Sequence, residues 1–546
     1  MKIFVSTVAV SLSALIFAGF FNRAGCAADE QLFQVDCRSR VPVEEKGGEY
    51  AVASERQTWD ASQTAIIICD MWDSHWCRGA SRRVAELAPV VDSFVDRARA
   101  RGILIVHAPS DVVHAYEGHP ARRRALEAPP APDLPDGIDK WCSWLNEREK
   151  ENWPVDPASE GCDCEPQCQA PDGPPWPWHG QIAMIRIDER DAISASGSEI
   201  WNLFSQRGIH NVILVGVHTN MCVAGRPFGL RNMARFGKNV VLCRDLTDTM
   251  YDSRTRPYVD HFSGTDLVVE HIEKFICPTI LSTALTGEPP FRFSEDGRPR
   301  VVMLSAESEY QANRTLPRLA HELTVHYDLS CEILQGSTEP RGTVRNHFPD
   351  MAALSTADLA VLFARRRALP PEQMQYFRDY LVRGNPLIAF RTSSHAFAVR
   401  EPVPQELQQW PEFDREVLGC HYDGYPHGET LVRIEAGAED HAILQGVEGP
   451  YRLRETLYRS VPLSQTCRVL LMGSCIDGAG DDPRFRKDPD QEIPDQPVAW
   501  INEVHGGRVF YTSLGSGRAS FEESWFQRMV VNAVFWALEK PVPEME

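Results

Sequence analysis

The stretch Asn211-Val-Ile-Leu-Val-Gly-Val-His-Thr-Asn-Met-Cys-Val223 decides the fold of this chain. Its branched apolar run at residues 212–215 predicts a buried parallel strand, because strands covered on both faces are apolar throughout. Gly216 ends the run, a polar turn follows, and Cys222 stands where a helix is expected to begin. At such a junction backbone N–H groups point outward and the helix dipole is positive. Both effects favour a thiolate, so Cys222 is a candidate nucleophile, and the same N–H groups can hold an oxyanion.

Strand and helix patterns alternate on both sides of this stretch. Upstream, Ala65-Ile-Ile-Ile-Cys-Asp70 is an apolar strand that ends in an acidic residue, and residues 80–100 have apolar side chains at helical spacing. Residues 181–187 and 240–243 are predicted as further strands. This alternation predicts a doubly wound parallel α/β sheet, in which ligands bind at the carboxyl ends of the strands. Asp70 and Cys222 both follow strand ends, so we expect them at one edge of the sheet.

The residues around these strand ends resemble a known family. Gly216-Val-His-Thr-Asn-Met-Cys-Val223 resembles the nucleophile motif of the isochorismatase-like cysteine hydrolases, roughly G-V-x-T-x-x-C-V. Asp70-Met-Trp-Asp73 resembles the D-x-x-N/D pattern of that family's catalytic Asp. The resemblance covers residues 64–278. It implies hydrolysis of a C–N bond in a small amide, with Cys222 as nucleophile and Asp70 as general base, and it implies no required cofactor.

The family's third catalytic residue is a lysine that follows the middle strand. The matching region here reads Met184-Ile-Arg-Ile-Asp-Glu-Arg190 and contains no lysine. Arg186 or Arg190 would have to supply the positive charge. Because arginine keeps its proton, such a residue could orient and stabilise charge but could not shuttle protons.

Further side chains near the two motifs are candidates for the site. The resemblance implies an oxyanion hole formed by the backbone N–H groups of His218 and Cys222. The His218 imidazole could also act as an acid or base near neutral pH, or be polar surface. Trp72 would form a pocket wall or plain core. Nicotinamidases of this family hold a metal with an Asp/His/His set, and the nearest residues here lie at slightly different spacing, which keeps a divalent metal open as an alternative. Those residues are Asp111, His114 and His119.

Cysteines are dense in a Pro/Gly-rich insert at residues 129–180, which contains Cys162-Asp-Cys-Glu-Pro-Gln-Cys168. An exported protein meets an oxidising compartment, so these cysteines are expected to form disulfides, although the sequence does not give the connectivity. Cys37, Cys77 and Cys142 are candidate partners. A thiolate metal site is the alternative, but the spacing contains no obvious fourth ligand.

The N-terminal sequence predicts the localisation of the protein, and its overall charge restricts the classes of partner that it can bind. Lys2 precedes an uncharged apolar run at residues 3–21, and small residues follow up to Ala28, which predicts a secretory signal peptide at residues 1–28. We therefore expect a periplasmic or secreted protein, with membrane association only through an uncleaved or lipidated N-terminus. The formal net charge of −20 argues against nucleic-acid partners. A small-molecule substrate is expected, and oligomerisation is left open.

A second unit is predicted after a linker at residues 289–298, because 546 residues exceed what one core usually supports. Gly506-Gly-Arg-Val-Phe-Tyr-Thr-Ser-Leu-Gly515 and Asp440-His-Ala-Ile-Leu-Gln-Gly446 resemble the ThuA-like (trehalose-utilisation) family over residues 298–538. The resemblance implies a second α/β fold, of the glutamine-amidotransferase type. We predict domains at residues 29–290 and 298–546.

The second unit lacks the thiol that glutamine hydrolysis needs. Arg391-Thr-Ser-Ser-His395 stands at the strand end where an amidotransferase keeps its cysteine. His395, His421 and His427 are candidate pocket residues for a sugar-like or polyol ligand, the alternative being a docking module. For the whole chain, the prediction is an exported cysteine hydrolase. Its alternative is a non-catalytic small-molecule or carbohydrate-binding protein built from two degenerate enzyme folds.

Overall fold

The computed structural model describes residues 31–44, 48–307, 309–339 and 343–544. Two α/β units follow one another along the chain, which confirms the predicted fold class. The predicted signal peptide at residues 1–28 lies outside the described residues. No helix in the described part of the chain combines the length and the apolar character that a membrane crossing requires.

The first unit contains an eight-stranded sheet in the order β2-β1-β8-β7-β6-β3-β4-β5. The strands are β1 Leu32–Pro42, β2 Tyr50–Asp60, β3 Thr64–Cys69, β4 Leu104–Ala108, β5 Ala192–Ile193, β6 Asn211–Val217, β7 Asn239–Asp248 and β8 Thr279–Ile280. Strands β3 to β8 run parallel, whereas β1 is antiparallel to both β2 and β8. Cys69 at the end of β3 pairs with Gly216 of β6. The residues that follow these two strands therefore meet at the carboxyl edge of the sheet.

Helices cover both faces of this sheet. They are α1 Arg78–Ala100, α2 Pro120–Leu126, α3 Glu147–Glu151, α4 Gly197–Arg207, α5 Leu230–Arg235, α6 His261–Phe275 and α7 Thr283–Thr286. Successive residues of β3 point into opposite cores: Ile67 packs with the core that includes α4, and Ile66 and Ile68 pack with the core that includes α1. Because both faces are buried, every residue of β3 is apolar except the first, as the uninterrupted run predicted.

The strand predicted at residues 181–187 does not form. Gln181 makes one antiparallel bridge to Trp72, and the chain then turns. Only Ile185 in the middle of this segment is fully buried, while Met184 is 45% exposed. The edge of the sheet is formed instead by the two-residue strand β5.

The second unit contains a nine-stranded sheet in the order β10-β9-β11-β12-β17-β16-β15-β13-β14. The strands are β9 Arg300–Ala306, β10 Ser330–Gln335, β11 Leu359–Ala364, β12 Leu387–Phe390, β13 Glu429–Ile434, β14 Tyr451–Leu453, β15 Arg468–Ile476, β16 Gln496–Val504 and β17 Gly507–Thr512. The helices are α8 Ala312–Tyr327, α9 Pro371–Val382, α10 Arg518–Glu522 and α11 Ser524–Ala537. Strands β9 to β12 and β17 are parallel, and β13 to β16 are antiparallel. Each sheet is thus mixed, rather than wholly parallel as predicted.

Buried ion pairs join the two units. Arg38 of β1 pairs with Glu332 of β10, and Arg244 Nη2 of β7 lies 2.8 Å from Glu332 Oε1. Although burial opposes ionisation, Arg244 and Arg38 lower the pKa of Glu332 to about 2. Val52 of β2 packs in the core of the second unit. The contact between the units therefore includes both charged and apolar groups.

Candidate active site at the carboxyl edge of the first sheet

Cys222 lies in a single π-helical turn, Thr219–Val223, directly after β6. The backbone N–H groups of Met221 and Val223 donate to His218 O at 3.0 and 3.1 Å, and the Val217–His218 peptide bond is cis. Gly216 allows the approach to β3, since a Cβ at this position would lie 2.1 Å from Cys69 O and its φ is 104°. The α-helix expected at Cys222 begins only at Leu230 (α5).

Asp70 faces Cys222 from the end of β3. Its side chain is fully buried, and its φ of 47° turns the chain sharply away from the strand. Ser110 N donates to Asp70 Oδ1 at 2.8 Å, and the Cys222 thiol lies against the same carboxylate. The two predicted catalytic residues are therefore in direct contact.

The electrostatics of this pair favour a protonated thiol. Burial raises the pKa of the Cys222 thiol, and the charge of Asp70 raises it further. Burial also raises the pKa of Asp70, against the opposing effect of Arg226. The free thiolate expected from the helix dipole is thus not the resting state, because loss of solvation outweighs the dipole here. A carboxylate with a raised pKa beside a thiol is suited to accept the proton during the reaction.

The cation of the site is Arg226, which the sequence reasoning did not identify. Its Nε lies 3.1 Å from Asp70 Oδ2 and its Nη2 lies 3.5 Å from Asp111 Oδ2. Arg186, the residue expected in this role, is exposed and pairs with Asp92 and Asp96 of α1. It does not reach Asp70, since the segment around it turns over the surface instead of continuing as a strand. Arg190 likewise pairs with its neighbour Asp188.

Stacked rings form one wall beside Cys222. Trp72 and Trp178 stack with centroids 4.3 Å apart, and His75 stacks on Trp178 at 5.5 Å. His218 meets His75 edge to face at 5.0 Å. The Pro- and Trp-rich end of the insert, which was read only as a loop, therefore contributes Trp178 to the pocket wall. Trp72 is buried in the same apolar cluster as Trp178 and Cys222.

Two polar atoms of this wall have no partner within the described part of the chain. They are the buried His218 Nε2 and Trp178 Nε1. Burial lowers the pKa of His218 well below its usual value and lowers the pKa of His75 to about 4, so both rings are neutral at pH 7. Unpaired buried polar atoms are costly, and a bound ligand can satisfy them. The wall thus offers neutral hydrogen-bonding groups to a substrate.

The three residues suggested for a metal do not converge. Asp111 pairs with Arg226, His114 is exposed, and His119 Nδ1 accepts from Ala121 N at the start of α2. Among the described residues, the His, Cys, Asp or Glu side chains that do converge closely enough for a metal are Cys77, Cys162, Cys164 and Cys168. The metal set predicted near β4 is therefore not formed.

The predicted disulfides of Cys162, Cys164 and Cys168 are also not formed. All fourteen described cysteines are free thiols. Cys37 is buried in the core, and the Cys142 thiol donates to Trp144 O. Three of the four cysteines of the insert, Cys162, Cys164 and Cys168, instead lie around Cys77.

The second unit has an arginine at the end of its central strand. Arg391 follows β12 with a φ of 44°, is buried, and donates to Thr456 O at 2.9 Å. Its guanidinium lies 4.0 Å from the ring centroid of Tyr458. His395 stacks on Tyr422 at 4.5 Å, and burial lowers its pKa. A cationic and aromatic cluster thus occupies the strand end.

The other two histidines predicted for this pocket lie apart from His395. His421 Nδ1 lies 3.5 Å from Asp414 Oδ2. His427 is exposed, and its carbonyl accepts from the Cys475 thiol. Only His395 of the three predicted histidines therefore packs on the aromatic cluster.

Comparison with known proteins finds one family model and several solved structures that are similar to parts of the chain. A putative ThuA-like protein from Bacteroides uniformis is 14% identical, with a TM-score of 0.33, 45% of this chain and 94% of that chain being covered. A cysteine hydrolase from Pseudomonas syringae pv. phaseolicola is 13% identical, with a TM-score of 0.24, 41% of this chain and 91% of that chain being covered. An isochorismatase family protein from Burkholderia thailandensis is 13% identical, with a TM-score of 0.24 and coverage of 41% and 94%. No curated protein matches the chain. Residues 335–537 match the family model described as trehalose utilisation, ThuA, so the second unit contains a ThuA-like domain.

Proposed function

We propose that the first unit is a cysteine hydrolase that cleaves the C–N bond of a small amide. The observation that supports it most is the direct contact between the Cys222 thiol and the buried Asp70 carboxylate at the carboxyl edge of a parallel sheet. Ligands bind at this edge in open α/β sheets. A nucleophile in contact with a base, both out of solvent, is the arrangement that covalent acyl transfer requires.

The reaction proceeds in two steps through a thioester. Asp70 takes the thiol proton as Cys222 Sγ attacks the amide carbonyl carbon, and backbone N–H groups at His218 and Cys222 hold the oxyanion. The intermediate collapses, the C–N bond breaks, and Asp70 gives the proton to the leaving nitrogen. Water then attacks the thioester, Asp70 takes its proton, and the acid leaves as the proton returns to the thiol.

Arg226 acts on this cycle through Asp70. Its charge opposes the effect of burial and keeps the Asp70 carboxylate available as a base. Burial disfavours the charged form of Arg226, but Asp70 and the neighbouring thiols favour it more, and the pKa of Arg226 is raised. Arg226 therefore stays protonated throughout and positions and stabilises Asp70 without exchanging protons.

The pocket wall favours a flat, uncharged acyl group. Trp72, Trp178 and His75 present parallel rings, with interplanar angles of 16° and 5° to Trp178. This apolar surrounding favours an uncharged group over a charged one, because burial of a charge is costly. The Trp178 indole N–H is a donor only, so it pairs with an acceptor atom of the substrate.

A panel of amides tests this proposal. Flat aromatic amides, aliphatic amides of similar volume and ureides are each incubated with the full chain, and release of ammonia is measured. We expect turnover to be fastest with a flat amide and to vanish in Cys222→Ala, while Cys142→Ser, a buried thiol outside the site, behaves like wild type. Equal turnover in wild type and Cys222→Ala would contradict the proposal. Absence of turnover with every compound would favour the alternative of a binding protein.

For the second unit we propose binding of a small polar ligand rather than catalysis. Arg391 stands where an acyl-transfer nucleophile would be needed, and its guanidinium lies between the rings of Tyr458 and Tyr310 at 4.0 and 5.3 Å. Flat rings around a buried cation suit a hydroxyl-rich ligand such as a sugar or polyol. Calorimetric titration with a series of sugars and polyols tests this. Heat of binding that is observed with wild type and lost in Tyr422→Ala would support the proposal. No heat of binding with any of these compounds would contradict it.

A further inference from the structure

Four cysteines from two distant parts of the chain converge beside the candidate active site. The sulfur atoms of Cys77, Cys162, Cys164 and Cys168 all lie within 4.8 Å of one another. Cys77 is the residue before α1, and the other three lie in the long insert. Cys77 thus supplies the fourth member that the spacing of the insert lacks.

The separation of the Cys77 and Cys164 sulfurs matches a tetrahedral metal site and not a disulfide. Cys77 Sγ and Cys164 Sγ are 3.7 Å apart. Zinc–sulfur bonds of about 2.3 Å in a tetrahedron place the sulfurs about 3.8 Å apart, whereas a disulfide requires about 2.05 Å. We propose that Cys77, Cys162, Cys164 and Cys168 bind one structural Zn²⁺ ion that fixes the insert onto the start of α1.

Backbone groups around the cluster are arranged for thiolates. Gly79 N donates to Cys164 Sγ at 3.1 Å, Arg78 N to Cys168 Sγ at 3.5 Å, and Cys168 N to Cys162 Sγ at 3.4 Å. Hydrogen bonds of this kind orient metal ligands and stabilise their charge. The first two donors belong to the start of α1, where the helix dipole also favours negative charge.

Two arginine side chains hold the backbone of the segment that carries these cysteines. Arg254 Nη2 donates to Cys162 O at 2.8 Å, and Arg78 Nη2 donates to Pro166 O at 2.9 Å. Met250 packs on the cluster from the apolar side. Four buried or half-buried sulfurs with this surrounding form a closed site with no position open to substrate, as in structural zinc sites.

The insert is already docked for such a site by a buried ion pair. Asp163, between Cys162 and Cys164, lies 2.9 Å from Arg83 Nη1, and Arg83 Nε lies 2.8 Å from Asp248 Oδ2. Gly79 permits this approach, since a Cβ there would lie 2.9 Å from Asp163 Oδ1 and 3.3 Å from Cys164 Sγ. The Zn²⁺ ion would therefore bind to cysteines that other contacts of the fold already hold close together.

The proposed zinc would affect the candidate active site by holding neighbouring residues in place. Cys77 lies in the loop that carries Trp72 and His75, so fixing Cys77 fixes one side of the aromatic wall. Met250, which packs on the cysteines, exchanges hydrogen bonds of 2.8 and 3.0 Å with Asn220 in the turn that carries Cys222. The inference does not require that the first unit be a hydrolase.

Metal content tests the proposal. The full chain is loaded with Zn²⁺, dialysed without chelator and measured by mass spectrometry of its metals. We expect about one zinc per chain. Cys168→Ser, at the most exposed of the four positions, and Cys162→Ser should retain less than about a tenth of that, whereas Cys142→Ser keeps it, because Cys142 lies in the same insert but outside the cluster. Zinc loss in Cys142→Ser equal to that in Cys168→Ser, or iron in place of zinc, would overturn the assignment.

Two further measurements guard against a variant that fails to fold. Hydrogen exchange of wild type before and after chelation should lose protection at residues 72–79 and 160–168, and re-adding Zn²⁺ should restore it. Thiol titration of the unfolded, chelated wild type separates zinc from disulfides, since a zinc site leaves all four thiols free and two disulfides make the count four lower. Four missing thiols without bound metal, or exchange unchanged by chelation, would contradict the proposal.

Discussion

Arg226 Nε lies 3.1 Å from Asp70 Oδ2, so the cation of the candidate site comes from the chain just after the nucleophile turn. The isochorismatase-like cysteine hydrolases that the first unit resembles use a lysine from the middle strand. In this chain the corresponding segment turns away, and Arg186 pairs with α1 on the surface. The positive charge beside Asp70 thus comes from Arg226, a group that does not release its proton.

Replacing Arg226 by Gln should shift the pH dependence of hydrolysis. Arg226 lowers the pKa of Asp70 against the effect of burial, so its removal raises that pKa further. We expect the acid limb of the kcat profile to move to higher pH, because the carboxylate form of Asp70 loses the stabilising charge of Arg226. Arg186→Gln is the matched control and should leave the limb in place. An acid limb at the same pH in Arg226→Gln as in wild type would contradict the role assigned to Arg226.

Gly216→Ala should destabilise the first unit strongly. The new Cβ would lie 2.1 Å from Cys69 O, and the φ of 104° strains a side chain at this position. We expect the free energy of unfolding to fall by on the order of 4 kcal/mol, from strain and overpacking together. Gly237→Ala is the control, since its φ is 84° but nothing lies within 4 Å, and it should cost about 1–2 kcal/mol. Equal losses in urea titrations of the two variants would refute the packing argument.

The local part of the site could be predicted from the sequence. The uninterrupted apolar runs of β3 and β6 identified two buried parallel strands, and the polar residues after them, Asp70 and Cys222, meet because parallel strands share a carboxyl edge. The strand end at Arg391 could also be predicted from the sequence. In these cases the sequence pattern and the contact that it predicts involve only one or two neighbouring secondary-structure elements.

The rest of the site depends on contacts that no local pattern specifies. Trp178 reaches Trp72 only because the long insert folds back over the sheet. Cys77 joins the cysteines of the insert for the same reason. Because it is far from the insert in sequence, it could not be recognised from the sequence as the fourth cysteine of the cluster. The segment around Arg186 has the apolar alternation of a strand, but it pairs with α1 rather than with the sheet.

Asp350, at the contact between the two units, should make stability depend on pH. Burial raises its pKa from 3.8 to about 6, against the opposing effects of Arg244 and Thr283. A raised pKa favours the protonated carboxyl in the folded chain, so its contribution to stability is complete below pH 3.8 and is lost as the pH rises through about 6. From pH 4 to pH 7 the free energy of unfolding of Asp350→Asn should therefore gain about 2 kcal/mol relative to wild type. A difference that is constant over this range would contradict the prediction.

Glu332→Gln should weaken the contact between the two units. The change removes the carboxylate that Arg38 and Arg244 share, but Arg38 keeps Glu273 and Arg244 keeps Asp350 as partners. We therefore expect a loss of about 2 kcal/mol, less than for a buried charge left without any partner. Glu522→Gln is the control, because Glu522 pairs with Arg318 and Arg518 at the surface and should cost less than about 1 kcal/mol. Urea unfolding of the full chain measures both. Equal effects would mean that the buried pairs add nothing to the contact.

The covalent step at Cys222 is the central claim, and trapping the acyl-enzyme tests it most directly. Asp70 contacts the thiol, so Asp70→Asn should slow turnover by on the order of 10²–10⁴ through loss of the base. Wild type is mixed with the best amide of the panel and quenched in acid within the first turnover, and the peptide containing Cys222 is weighed by mass spectrometry. The account predicts that this peptide carries the mass of the acyl group and that Cys222→Ala forms neither adduct nor product. Product formed by wild type without any adduct, together with undiminished turnover in Cys222→Ala, would contradict it.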